Sequence, residues 1–178
     1  FCDKLLGILK NMPEGDALFQ LEENGTMIIS TADRRIEYQL KTISADKYPE
    51  IQEISSDSYF EIPQKDLIEM ISQTILAVST DETRYFMNGV FVEKIEANLI
   101  MVATDGRRLS YIERPIDIGM TELPGSIVPP KVLTLVRKLA SGEGNVQTAV
   151  TEKNIFFRFD NRKLFSALIE GQFPNYRR

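Results

Sequence analysis

The stretch from Ser126 to Ser141 holds no acidic residue, while Lys131, Arg137 and Lys138 give it three positive charges. That combination suits the binding of phosphate rather than the breaking of bonds, because phosphate backbones are held by lysine and arginine through charge. The chain as a whole carries −5, so the remainder carries −8 and can stay in solvent while the basic stretch faces a polyanion. The plain alternative is a solvated helix face. Groups for bond-breaking chemistry are sparse. There is no histidine, which removes imidazole acid–base catalysis, Ser–His or Cys–His activation and the commonest zinc ligand. Carboxylates such as Asp105, Glu113 and Asp160 are not paired at a spacing that would hold a metal, so no catalytic residue, metal or cofactor is expected.

A second notable run is Val102-Ala103-Thr104-Asp105-Gly106-Arg107-Arg108-Leu109-Ser110. Leu99–Val102 and Leu109–Ile112 read as strands on either side, and Asp-Gly is a dipeptide that tolerates the positive φ of a hairpin turn. On its own the run is a hairpin and nothing more.

The elements that position these residues follow from periodicity. Leu5, Ile8, Leu9 and Met12 mark an amphipathic helix that Pro13-Glu14-Gly15 ends. Strands are predicted at 17–21, 27–30 and 36–42, with Glu23-Asn24-Gly25 as a hairpin turn. A polar, acidic connection from about Ser44 to Asp57 is the best linker. A strand at 59–62 then leads into Pro63, suited to the first position of a helix whose face is Leu67, Ile71, Thr74, Ile75 and Val78. A polar loop at 79–83 precedes a strand-like stretch from Tyr85 to Lys94. Ile127-Val128-Pro129-Pro130 introduce a further helix with an apolar stripe of Val132, Leu135, Val136 and Leu139. Strands at 146–150, 155–159 and 164–169 complete the list, and the irregular alternation points to α+β with antiparallel sheets. No apolar run approaches the roughly 20 residues needed to span a bilayer. The absence of a basic-then-apolar leader and the lone Cys2 fit a cytoplasmic protein.

The order of elements repeats. Helix, Pro-Glu-Gly-Asp, two strands, Asp33-Arg34-Arg35 and a third strand lead to Lys47-Tyr48-Pro49-Glu50. Helix, Gly142-Glu143-Gly144-Asn145, two strands, Asp160-Asn161-Arg162 and a third strand lead to Gln172-Phe173-Pro174-Asn175. A duplication read this way leaves the first copy without its front half. It predicts a boundary after residue 54 and a complete domain over 55–178.

Taken together, Pro13-Glu14-Gly15, Tyr48-Pro49, Arg84 through Val90, Ala103 through Leu109, Ile127-Val128-Pro129 with Lys131, and Gly171 through Arg178 resemble the bacterial beta sliding clamp family. The matches run nearly end to end. The resemblance implies a DNA-clamp fold: repeated domains, each with two helices toward a central hole and antiparallel sheets outside. Residues 1–54 correspond to the closing half of a first domain and 55–178 to the central one, with the third absent.

The same resemblance implies a processivity factor that encircles duplex DNA through sequence-independent phosphate contacts. Lys131 and Lys138, seven apart, project from one side of their helix with Arg137 beside them; Lys4 and Lys10 can serve likewise in the opening helix. Tyr85 and Phe86 match a loop that touches DNA, or are strand core. Many members carry a basic residue where this chain has Pro130.

A docking pocket for short peptides of the Gln-x-x-Leu-Phe type is also implied, taking the replicative polymerase, clamp loader and repair proteins as partners. Its share here is Met87, Thr104, Gly106, Arg107, Arg108, Leu109, Phe173, Pro174 and Arg178. Leu109, Met87 and Pro174 supply apolar walls, Gly106 allows close approach to the backbone, and Arg107 stands where histidine is frequent. Full-length members close as homodimeric rings; Ile36 and Tyr38 match a ring-interface strand, and this length of chain is expected to be monomeric. A carboxylate-and-metal enzyme and an interaction scaffold without DNA are the rival readings.

Overall fold

The computed structural model describes residues 2–48, 50, 53–55, 58–116, 119 and 123–177. They form two units, Phe1–Glu53 and Ile54–Arg178.

In the first unit, helix α1 (Cys2–Asn11) precedes an antiparallel meander of β1 (Ala17–Leu21), β2 (Thr26–Thr31) and β3 (Glu37–Lys41), with β2 central. Asp33 shapes the β2–β3 turn: its Oδ1 accepts from the Thr31 hydroxyl at 2.6 Å and the Arg35 amide at 3.2 Å. Arg34 between them takes the left-handed conformation at φ 54°. No residue of α1 is buried, and Leu6 and Leu9 are exposed.

The second unit holds β4 (Phe60–Pro63), α2 (Gln64–Thr74), β5 (Val90–Ile95), β6 (Asn98–Thr104), β7 (Leu109–Pro115), β8 (Leu123–Val128), α3 (Pro130–Leu139), β9 (Asn145–Val150), β10 (Asn154–Phe159) and β11 (Arg162–Ala167). One antiparallel sheet runs β7-β6-β5-β8 and the other β11-β10-β9-β4. Leu67, Met70 and Ile71 of α2 share a core with Val132, Leu133 and Val136 of α3, with Leu99, Met101 and Ala103 of β6, and with Ile155, Phe157 and Phe159 of β10. The order helix, strand, strand, strand occurs in both units, as α1-β1-β2-β3 and as α3-β9-β10-β11.

Alternation explains why one strand reads as a continuous apolar run. On β6, Leu99, Met101 and Ala103 face the helices, while Ile100 and Val102 face the other way into a smaller cluster with Ile127 and Phe173. Both faces of β6 are therefore covered, an arrangement that selects Leu-Ile-Met-Val-Ala over strict alternation of polar and apolar residues.

Four local expectations change. Tyr85 and Phe86 are not strand core: they lie in a 3-10 segment, Glu82–Met87, and β5 starts only at Val90. Gly89 intervenes where the backbone passes close to β8, since a Cβ there would sit 2.7 Å from Ile127 Cγ2. Pro63 ends β4 as the N-cap of α2 rather than opening the helix, a role Pro130 fills in α3. In α3 it is Leu133, not Leu135, that joins the buried stripe, and Leu135 is exposed. Residues 127–128, expected only to introduce α3, end strand β8. Pro49 lies outside the described residues.

Candidate functional site

The β6–β7 connection is built by its own side chains. Thr104 pairs with Leu109, leaving Asp105-Gly106-Arg107-Arg108 as the loop. The Thr104 hydroxyl donates to the Arg108 carbonyl at 2.7 Å and accepts from the Gly106 amide at 3.0 Å. Asp105 Oδ1 accepts from the amides of Arg107 and Arg108 at 3.0 and 3.1 Å, and its Oδ2 accepts from Arg108 Nε at 3.1 Å. Those two backbone amides first, and the Arg108 guanidinium after them, hold the Asp105 carboxyl below its ordinary pKa. Gly106 sits at φ 85°, the left-handed region where glycine costs least. The result is a rigid turn that leaves Leu109 half-exposed at its exit and Arg107 exposed at its tip.

Arg84, named from the sequence only as part of a matching run, sits against this turn. Its Nη1 lies 2.9 Å from where a Cβ on Gly106 would be, and its Nε donates to Asp81 Oδ2 at 3.0 Å. Asp81 is also the N-cap of the 3-10 segment, accepting from the Thr83 hydroxyl at 2.6 Å and the Thr83 amide at 2.9 Å. A tethered guanidinium thus lies over the one residue of the turn that has no side chain.

The outer face of the β7-β6-β5-β8 sheet carries the second part. Phe91, Val102 and Tyr111 are opposite one another across β5, β6 and β7, and Leu109 is two residues from Tyr111 on the same face. The segment 173–177 lies on this face. Phe173 stacks on Phe91 with ring centroids 4.9 Å apart and planes at 10°. Tyr176 meets Phe91 at 6.3 Å and Tyr111 at 5.9 Å. Gly125 makes room below, since a Cβ there would fall 2.3 Å from Phe91 Cζ. Glu93 Oε1 accepts from the Tyr176 hydroxyl and from Arg177 Nη2, the latter at 2.6 Å. Burial, then the bond to Glu93, raises the pKa of Tyr176. The hydrogen bond that Tyr111 donates to Glu113, with partial burial, pushes Tyr111 up to about 12.

Of the nine residues assigned to a docking pocket, Thr104 and Phe173 are buried at 8% exposure and Met87 at 4%. Gly106, Arg107, Arg108 and Leu109 are exposed, Pro174 is half-buried, and Arg178 lies outside the described residues. Sequence reasoning left out Glu93, Tyr111 and Tyr176. The two-residue step from Leu109 to Tyr111, and from Phe91 to Glu93, was the available signal. A cleft of about 520 Å³ lies between Gly125–Ile127 and Ala167–Gly171, and none of the residues assigned to docking or to DNA lines it.

Among the expected DNA contacts, α3 turns Lys131, Arg137 and Lys138 to solvent while Val132, Leu133 and Val136 are buried. Arg137 and Lys138 occupy its last turn, where cations suit the helix dipole. Lys4 and Lys10 are exposed on α1. Tyr85 is exposed and Phe86 half-buried, with rings edge to face at 5.9 Å; Phe86 also packs against the Phe173 cluster. Ile36 immediately precedes β3, the edge strand that contains Tyr38, and both are half-buried. Among the described residues no cluster of potential metal ligands occurs, and no helix is long and apolar enough to cross a membrane.

The sequence matches the family described as DNA polymerase III beta subunit, central domain, over residues 61–175. A Treponema pallidum protein named beta sliding clamp is 38% identical over 178 residues, which is 100% of this chain and 48% of that protein. Its Caulobacter vibrioides namesake is 32% identical over 180 residues, 98% and 48% of the two chains. This chain spans about half the length of the curated relatives it matches. The crystal structure of the Bacillus subtilis DNA polymerase sliding clamp is similar at a TM-score of 0.86 and 28% identity, covering 98% of this chain and 46% of that one. A sliding clamp from Pseudomonas aeruginosa, solved bound to griselimycin, gives 0.82 and 29%, with 98% and 47% covered.

Proposed function

The chain belongs to the DNA polymerase III beta subunit family, the beta sliding clamps, and from that premise we propose that it works as part of a ring around duplex DNA that tethers the replicative polymerase. On this reading Ile54–Arg178 is the central clamp domain and Phe1–Glu53 the closing half of the domain before it. The ring is a homodimer of the full-length protein in the cytoplasm, with Ile36 and Tyr38 at its interface, and it has no chemistry of its own.

The observation that carries the reading is the cross-section of α3. Its buried side is wholly apolar, its solvent side presents Lys131, Arg137 and Lys138, and no acidic residue lies between Ser126 and Ser141. A ring that slides needs phosphate contacts that exchange easily, and these carry no sequence information. Lysine, a mobile point charge, meets that need better than a fixed fork. Tethering falls to the turn at Gly106 and Leu109 together with Pro174, where polymerase, clamp-loader and repair proteins dock through short peptides. A micromolar peptide corresponds to about −8 kcal/mol, within reach of a few anchor side chains.

The test is fluorescence anisotropy with a labelled Gln-x-x-Leu-Phe peptide and the full-length protein. Saturable binding that Leu109→Asp abolishes supports the reading. A folded protein that binds no such peptide removes the tethering role and favours a scaffold with another purpose. The DNA role is read separately, from retention of the full-length ring on closed circular DNA and its loss on linear DNA.

A further inference from the structure

Among the described residues, the strongest feature that the docking and DNA readings leave unused is the polar knot at the end of the second unit. We propose that Tyr176, Glu93 and Arg177 form a latch that fixes segment 173–177 across the sheet and so positions the peptide-docking surface. The proposal rests on the docking reading above.

Three observations support it. Glu93 shares its sheet face with Phe91 and Val102 and stands opposite Ile100, which has Glu113 on its other side, and the Glu93 side chain is only 17% exposed. A carboxylate this enclosed needs donors, and it receives two, the Tyr176 hydroxyl and Arg177 Nη2. Arg177 closes the knot: its Nε and Nη2 also donate to the Tyr176 oxygen at 3.2 and 3.0 Å. Second, Pro174 is held between two anchored rings, Phe173 on Phe91 and Tyr176 on Phe91 and Tyr111. With φ fixed by its own ring, Pro174 has little freedom left. Third, Tyr111 joins the latch to the turn, because its ring meets that of Tyr176 in a tilted contact at 5.9 Å and it shares its strand face with Leu109. Loosening the latch therefore frees both Pro174 and the strand that presents Leu109, without touching either.

Glu93, Tyr176 and Arg177 are positioning residues under this proposal. The test uses the full-length protein with Glu93→Ala, Glu93→Gln and Tyr176→Phe, at a temperature where all are folded. Hydrogen exchange of fragments spanning 172–177 reports the latch, fragments from α2 report global stability, and anisotropy reports peptide affinity. Glu93→Ala and Tyr176→Phe are each expected to quicken exchange at 172–177 and to raise the peptide Kd about fivefold, the effect of one net hydrogen bond. Exchange in α2 stays unchanged, and the double variant loses no more than either single one. Glu93→Gln keeps an acceptor for the Tyr176 hydroxyl and recovers most of the affinity. A purely structural role would alter α2 exchange and leave Kd alone, and that result overturns the proposal. So does unchanged exchange at 172–177. An unaltered protein that binds no peptide overturns the docking reading and the positioning role together, while the exchange data still report whether the latch exists.

Discussion

Arg84 Nη1 rests over Gly106, 2.9 Å from where a Cβ would be, while Asp81 holds the same guanidinium from behind at 3.0 Å. Two elements distant along β5 and β6 are thereby fitted to each other: a 3-10 segment that carries the cation and a turn whose missing side chain receives it.

Gly106→Ala should strain the backbone at φ 85° and displace Arg84 together. A loss of about 1 kcal/mol in unfolding free energy is expected from the left-handed position. Denaturant titration measures it, and stability equal to the parent protein would show that the turn relaxes without strain.

Reversing the charge at Lys131, Arg137 and Lys138 should weaken the association of the full-length protein with DNA uniformly across sequences. Each phosphate contact removed lowers the slope of log K against log salt by about 0.9. A slope unchanged in the triple Lys131→Glu, Arg137→Glu, Lys138→Glu variant would take α3 out of the DNA interface.

Phe173→Ala empties the space beside Phe91 and opens the cluster of Ile100, Val102 and Ile127. A cost of roughly 3 kcal/mol or more is expected for a buried phenyl group. Calorimetry should show a clear fall in Tm; a fall confined to a degree or two would mean that the outer face stays packed without this ring.

Asp105, held below the ordinary value of 3.8 by the Arg107 and Arg108 amides, makes stability depend on acid. Because the folded pKa is the lower one, its contribution is present above the unfolded value and disappears as pH falls through the folded value. Asp105→Asn should therefore destabilise the protein at pH 6 and much less at pH 2. An equal effect at both, measured by denaturant titration, would mean that the charge on Asp105 is irrelevant to the turn.

Local signals were legible where one interaction dominates. The Thr-Asp-Gly turn and the strands about it follow from glycine's tolerance of positive φ and from period-two patterning, and the meanders after α1 and α3 follow from repeated order. The α3 stripe was misread by one residue because Leu133 and Leu135 are chemically alike, and only contact with α2 and the sheets decides between them. Tyr85 and Phe86 have strand propensity, yet Asp81 caps a 3-10 segment there and the close approach at Gly89 delays the strand. The Glu93 latch was invisible for a different reason. Glu93 stands 83 residues from Tyr176 and 84 from Arg177, and they meet only when segment 173–177 crosses the sheet.

The two-sided burial of β6 also bears on synthesis. Ile100 and Val102 reach the ribosome exit about 70 residues before Phe173, their cover. At cellular elongation rates that interval is on the order of ten seconds. For that time the nascent chain shows an oily strip that its own later residues have yet to cover, and it keeps that strip even after α3 and β10 have closed the helix-facing side.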